Sequence, residues 1–425
     1  MELTPGSVVR TDDGCKLFIK WKDESGPRPV WRQKAKRLSG VGVREGRKRL
    51  AEWRAEVMAE LEAAERKQRA AARASREAAE GEAVRDTPTP DYVDAFVDDM
   101  ERAAAVEKST IRDYRLCARH IRQGLDGVAI GDLTAEDVRR WEARMTGGGM
   151  SSSSVIKAHR LLKRVLNEAV ALGYITRSPM AAVKPPKRKT YRPNALDLDG
   201  RTELVRRLEA EGLNRLTVAA YMALYGGLRV GEACGLRWRD VRLDTDASGT
   251  ASGGTLWVRG SIGVGENGTY TKAAKTDRVR DVPLTPDLAR VLAAWRAVRA
   301  AECVRDGVSL GASYVVGDSK GYTDPRAVSH AWHELMKGWG IEGTEGRVCT
   351  FHDLRHTFAT AAISAGVDVK TVSSIMGHAN AYMTLNVYAS ADPDAKRGAA
   401  AILSQAMTRR PAEVATLAPR TGTEG

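Results

Sequence analysis

The chain has 425 residues, more than one hydrophobic core usually organises, so its length predicts two or three domains. Apolar residues make up 43% and charged residues 28%, the balance expected of a soluble globular protein. The formal charge of +13 favours a polyanionic partner, nucleic acid or an acidic membrane surface, and no apolar run approaches the ~20 residues of a membrane span.

Other global features narrow the reading further. The first ten residues lack the basic-then-apolar layout of a secretion signal. The five cysteines, Cys15, Cys117, Cys234, Cys303 and Cys349, lie far apart with no Cys-x-x-Cys pair. That spacing predicts a reduced, cytoplasmic chain with neither a disulfide framework nor a zinc site.

Residues 1–60 read as a β-rich module. Apolar-polar alternation in Val8–Arg10, Leu17–Lys22 and Val30–Lys34 predicts three short strands, the first two joined at Asp13-Gly14. A helix follows from about Arg44 through Trp53 and Val57. Arg28, Arg32, Lys34, Lys36 and Arg37 crowd around Trp31 and are candidate DNA contacts, although a generic charge cluster is more often a solvated face. Residues 61–90 are mostly Ala, Glu and Arg with few large apolar side chains, which predicts an exposed helix or a flexible linker.

Residues 91–184 read as a helical domain. Tyr92, Phe96 and Met100 mark one amphipathic helix, and Ile111, Tyr114 and Ile121 a second. Thr134-Ala-Glu-Asp137 has the form of a capped start for a third, and a fourth spans about Val155 to Leu172. A basic, proline-bearing linker fills 185–195, where Lys187, Arg188 and Lys189 could follow a DNA backbone or line an ordinary hinge. Residues 196–392 mix helices, including Ala219–Tyr225 and Phe351–Ala365, with strands at Thr255–Gly260 and Val279–Leu284. Residues 393–425 hold a helix around Asp394–Met407 and a tail. The fold class expected is multidomain, mainly α with small β-sheets.

Three separated signatures carry chemistry. In Gly226-Gly227-Leu228-Arg229-Val230-Gly231-Glu232, an arginine on a glycine-rich turn at a helix start can direct its fork at a phosphate. Glu232 could orient that arginine or cap its helix. In His352-Asp353-Leu354-Arg355-His356, His352 and Arg355 share a helix face. His352 and His356 also have the spacing of zinc ligands on a helix, but the pattern lacks the glutamate and a third ligand nearby. His330 and His333, beside Trp332, read as a structural pair. The third signature is Gly377-His378, with Tyr388 ten residues on and Tyr382 as a nearby competitor.

As a set, in this order and spacing, the signatures resemble the tyrosine recombinase family, which includes phage integrases and bacterial chromosome-dimer resolvases. The resemblance covers about residues 90–390, as core-binding and catalytic domains; residues 1–60 resemble, more loosely, the arm-site binding module of many integrases. It implies Arg229, His352, Arg355 and His378 as catalytic residues and Tyr388 as the nucleophile. It also implies a hairpin lysine ahead of Asp281-Val282-Pro283-Leu284, best matched by Lys275, with Lys272 as the alternative, and places Arg280 where the family often has arginine. No cofactor or metal is implied. The implied partners are double-stranded DNA, a homotetramer on that DNA, an excisionase and a host DNA-bending protein.

The chemistry accounts for these residue types. Two arginines can fork onto the non-bridging oxygens of a phosphodiester and stabilise the charge of a pentavalent transition state. A tyrosine of ordinary pKa near 10 is only ~0.1% ionised at pH 7, a deficit of about 4 kcal/mol. Nearby positive charge and a base such as His352 can offset it. The expected function is site-specific recombination through a 3′-phosphotyrosyl link, by an integrase that inserts and excises a mobile element. A Xer-like resolvase, a DNA-relaxing topoisomerase of related chemistry and a DNA-binding regulator that kept the fold are the alternatives.

Overall fold

The computed structural model describes residues 3–23, 28–188, 192–273, 279–318 and 321–377. The chain divides into two compact units, one of residues 1–95, 118–150 and 157–185, the other of residues 96–117, 151–156 and 186–425.

In the first unit, alternation produces the three expected strands, each longer than its signal: β1 (Ser7–Thr11), β2 (Gly14–Asp23) and β3 (Val30–Ser39). They form one antiparallel sheet in the order β1-β2-β3, with Leu17 opposite Lys36 and Trp21 opposite Arg32. The β1–β2 loop is Asp12-Asp13, one residue earlier than the Asp13-Gly14 dipeptide suggests, because Gly14 already pairs with Thr11. Every second residue of β2, from Cys15 through Leu17 and Ile19 to Trp21, is buried against Trp53 and Val57. Those two lie on α1 (Val43–Arg85), which runs 43 residues and absorbs the stretch 61–85 as helix. Beyond Leu61 it has almost no apolar partner. Helix-forming Ala, Glu and Arg sustain it there, with four-apart ion pairs Arg66–Glu62, Arg69–Glu65 and Arg73–Glu77.

The expected helices of the 91–184 stretch form as α2 (Thr89–Arg102), α3 (Lys108–Leu125), α4 (Ala135–Gly147) and α5 (Ser152–Ala171). Thr134 starts α4 through a reciprocal cap: its hydroxyl accepts from Asp137 N, while the Asp137 carboxylate accepts from Thr134 N at 3.1 Å. Buried Trp141 donates its indole N–H to the His120 carbonyl at 2.9 Å.

The second unit is built on α7 (Arg215–Gly226), whose residues from Thr217 to Leu224 are all buried. A helix apolar on every side must be wrapped. Around it in the chain come α6 (Leu198–Glu211), α8 (Val230–Gly235) and an antiparallel sheet of β4 (Val241–Thr245), β5 (Ala251–Val258) and β8 (Arg280–Pro283) in the order β4-β5-β8. Between β5 and β8 rises a hairpin of β6 (Gly260–Gly265) and β7 (Gly268–Ala273). Then follow α9 (Pro286–Asp306), a two-residue pair β9 (Gly317–Asp318) and β10 (Gly321–Tyr322), α10 (Pro325–Trp339), α11 (Phe351–Ser364) and α12 (Val369–Met376). Leu228, Leu256, Val282, Leu288, Trp332 and Leu354 close one core with α7. All five cysteines are buried and unbridged.

Candidate active site

Two local devices bring distant arginines together. Helix α7 ends at Gly227, which sits in the left-handed region at φ +64 and turns the chain sharply. A side chain there would be strained, and its Cβ would lie 2.7 Å from the Phe358 ring. Two residues on, Arg229 starts α8. Its backbone N–H donates to Glu232 Oε2 at 2.9 Å and its Nη1 to Oε1 at 2.8 Å. Glu232 therefore both caps the helix and orients the arginine, the two alternatives its position left open.

The second device is the start of α11. Thr350 and Asp353 cap each other, with Thr350 N donating to Asp353 Oδ2 at 2.9 Å. This consumes Asp353 and sets the register in which His352 and Arg355 lie three apart. Arg355 is 1% exposed. Its Nη1 donates to the Gly227 carbonyl and its Nη2 to the Met376 carbonyl at 2.6 Å. Arg229 reaches the same Met376 oxygen at 3.5 Å and the Gly377 oxygen at 3.3 Å. The two guanidinium groups thus converge on the carbonyl end of α12, where the helix dipole favours positive charge. A third, Arg280, donates from Nε to the Ile375 carbonyl at 2.7 Å and grips Glu232 with both Nη atoms at 3.0 and 2.7 Å.

The electrostatics follow from this crowding. Burial pushes Arg355 down to about 9, helped by the charge of Arg229, so it stays cationic at neutral pH. Burial alone would raise the Glu232 carboxyl, but the hydrogen bonds and charge of Arg280, with the charge of Arg229, hold it at about 2. Neighbouring groups crowded around the ring and the charge of Arg355 lower the His352 pKa, although the residue as a whole is exposed. Its neighbour His356 meets it edge-on at 4.8 Å between ring centres and is pushed down to about 4 by burial and by His352. Neutral imidazoles beside arginines can accept a proton at neutral pH.

Of the expected catalytic residues, Arg229, His352 and Arg355 are brought together in one cluster. Lys275, His378 and Tyr388 lie outside the described residues, as do Tyr382 and the Asp394–Met407 stretch. Lys272 is described. It stands exposed on β7, 3.3 Å from the Glu107 carboxylate. His330 and His333 are exposed on α10, flanking buried Trp332. Among the described residues no group of three or more His, Cys, Asp or Glu could hold a metal ion.

Nothing in the sequence marks Arg280 and Glu232 as partners of each other, and nothing in it marks the carbonyls of Gly227, Ile375, Met376 and Gly377 as part of the site. The available signal was a glycine directly after an apolar helix, a position that exposes helix-end carbonyls.

The basic residues of the N-terminal module divide by face. Arg32, Lys34 and Lys36 alternate with the outer residues and stand on the helix side of β3. There they pair with Asp23, Glu60 and Glu56, and Lys36 also lies 6.0 Å over the Trp53 ring. Arg28 is exposed before β3, and Arg37 donates to Asp13 at 2.8 Å. On the opposite face the register sets Lys16 beside Arg37, Phe18 beside Ala35, Lys20 beside Gln33 and Lys22 beside Trp31, which is 57% exposed. Lys16, Lys20 and Lys22 were not singled out in the sequence, because the face they share exists only once β2 and β3 pair. Lys187 and Arg188 are exposed, and Lys189 lies outside the described residues.

Comparison with known proteins agrees with this geometry. The model of the phage integrase family matches residues 203–394, and that of the phage integrase SAM-like domain matches residues 90–186. Tyrosine recombinase XerC of Azotobacter vinelandii is 29% identical over 308 residues, covering 71% of this chain and 91% of that protein. A XerC-like tyrosine recombinase of Caldanaerobacter subterraneus subsp. tengcongensis is 25% identical over 298 residues, 66% of this chain and 73% of its own. The solved Tn1549 transposon integrase in complex with transposon right end DNA is similar with a TM-score of 0.59 at 22% identity, covering 75% of this chain and 100% of that one. A lambda integrase dimer bound to a core site gives 0.54 at 19% identity, covering 70% and 76%. At these identities the two structures bear on the fold.

Proposed function

We propose a mechanism whose premise is that the chain belongs to the phage integrase family of tyrosine recombinases, enzymes that break and rejoin DNA strands. The observation that carries the residue assignments is the convergence of Arg229 and Arg355 on one carbonyl oxygen, that of Met376, beside His352. Two forks anchored from behind by carbonyls keep their remaining N–H groups for a phosphodiester. Being held in place beforehand, they need no reorganisation when charge develops on its oxygens.

In this reading the Tyr388 hydroxyl oxygen attacks the scissile phosphorus, the bond to the 5′ oxygen breaks, and a 3′-phosphotyrosyl link forms. His352 takes the tyrosine proton, Lys275 delivers a proton to the departing 5′ oxygen, and His378 hydrogen-bonds the transition state. A 5′ hydroxyl from another strand then attacks the link and releases Tyr388, so the bond energy is conserved and no ATP is needed. Lys272 is the weaker lysine candidate, since its ammonium already faces Glu107.

The biological role proposed is insertion and excision of a mobile element by a homotetramer on DNA in the bacterial cytoplasm, with an excisionase and a host bending protein setting direction. The N-terminal sheet favours this over a Xer-like resolvase: the family matches begin at residue 90 and leave the sheet outside. Its open basic and aromatic face suits flanking arm-type DNA. Incubation with a nicked duplex bearing the crossover site is expected to yield a covalent adduct, and Tyr388→Phe to abolish it. An adduct that persists in Tyr388→Phe would overturn the assignment.

A further inference from the structure

Arg280 is the first residue of β8, and its side chain is 13% exposed. All three of its nitrogens are engaged: Nη1 and Nη2 on the two oxygens of Glu232, Nε on the Ile375 carbonyl. Glu232 is equally saturated. Its Oε1 accepts from Arg229 Nη1 and Arg280 Nη1, and its Oε2 from the Arg229 backbone and Arg280 Nη2. An ionised carboxylate has about four acceptor sites, so none is left over. The consequence is that Glu232 takes the Arg229 guanidinium at one point, Nη1, while the Met376 and Gly377 carbonyls receive its other bonds from behind. Only one of its guanidinium nitrogens touches Glu232, and the side chain stays 39% exposed.

A carboxylate and a guanidinium in reach of each other prefer the two-point, fork-on-fork geometry. Arg280 occupies that geometry, so Arg229 cannot. We propose that Arg280 is a positioning residue: by saturating Glu232 it keeps the Arg229 fork turned toward the scissile phosphate. With Arg280 gone, the buried carboxylate loses two donors, and Arg229 is the adjacent cation able to replace them. Arg229 would fold back onto Glu232 and withdraw from the DNA. The chain makes room for this arrangement at Gly377, where a Cβ would lie 2.9 Å from both Cδ and Nη1 of Arg280. The inference rests on the reading of Arg229 as a phosphate ligand.

The test uses the full chain and a nicked duplex carrying the crossover site mapped from DNA flanking the gene. Arg280→Met is expected to slow adduct formation at least tenfold while duplex affinity stays within about threefold. Adding Glu232→Gln to Arg280→Met is expected to restore part of the rate, because a neutral amide does not draw Arg229 back. A brace that only stabilises the fold would not behave this way, since the double variant loses the same ion pair. A double variant no faster than Arg280→Met, or an Arg280→Met that cleaves at the parental rate, overturns the inference. A parental rate in Arg229→Lys would instead bring down the reading of Arg229, and the inference with it.

Discussion

Around Met376, Arg355 is almost wholly buried, Arg229 is tied to Glu232 through one guanidinium nitrogen, and both are backed by helix-end carbonyls. On the N-terminal sheet, Arg32 and Arg37 have side chains 62% exposed and Lys34 and Lys36 45%, each paired with an acid at the surface. The residue types are alike, but the physics differs. A buried guanidinium whose donors are aimed by backbone oxygens is worth most to a developing charge, because little solvent screens it. Surface pairs contribute about 0–1 kcal/mol each and are screened by salt. The first arrangement suits chemistry at one phosphate. The second can supply only diffuse attraction to a polyanion, and within that module the face bearing Lys20 and Trp31 is the one we propose for DNA.

The contrast can be broken most sharply at Arg355. Arg355→Lys keeps the charge but cannot span the Gly227 and Met376 carbonyls together, so single-turnover cleavage should fall by about 100-fold or more. A loss under fivefold would place Arg355 with the surface cations.

A second measurement concerns acid. His356 has its pKa pushed down to about 4 from the ordinary 6.5, so the fold favours the neutral ring. That stability is fully present above pH 6.5 and is lost as pH falls from 6.5 toward 4. Urea titrations at pH 7 and pH 5 should differ by about 1–2 kcal/mol more in the parent than in His356→Gln, the ring's partial exposure limiting the effect. Equal differences in the two proteins would refute it.

Gly227→Ala should lower stability by about 1–3 kcal/mol, through strain at positive φ and the approach to Phe358. An unchanged thermal midpoint would mean the turn adapts, and the site would be less rigid than the comparison requires. The smallest effects belong to the sheet. Lys20→Gln should weaken arm-site binding severalfold and reduce the slope of log affinity against log salt by about one. Lys34→Gln, already paired with Glu60, should change both less. The reverse ranking, read by filter binding across a salt series, would reassign the DNA face.

Much of this was legible along the chain because it is local. The capping pair Thr134–Asp137, the alternation in β2 and the three-residue spacing of His352 and Arg355 each depend on neighbours a few positions apart. The length of α1 was harder to read: helix propensity beyond Leu61 is high but apolar periodicity is absent. The exposed face of the N-terminal sheet needed the strand register, since Lys22 and Trp31 are neighbours only across a ladder.

By itself, then, the sequence determined which residues could carry phosphate chemistry, their order, and the helices and strands that bear them. Only the tertiary structure decided that Glu232 is shared between Arg229 and Arg280, and that the α12 carbonyls hold three arginines at once. Those contacts span 48 to 148 positions of sequence, apart from the three-residue Arg229–Glu232 step and the 21-residue Arg355–Met376 step. A hydrogen bond depends on angles and tenths of an ångström, and at such separations these are fixed by packing of the whole core rather than by any local preference.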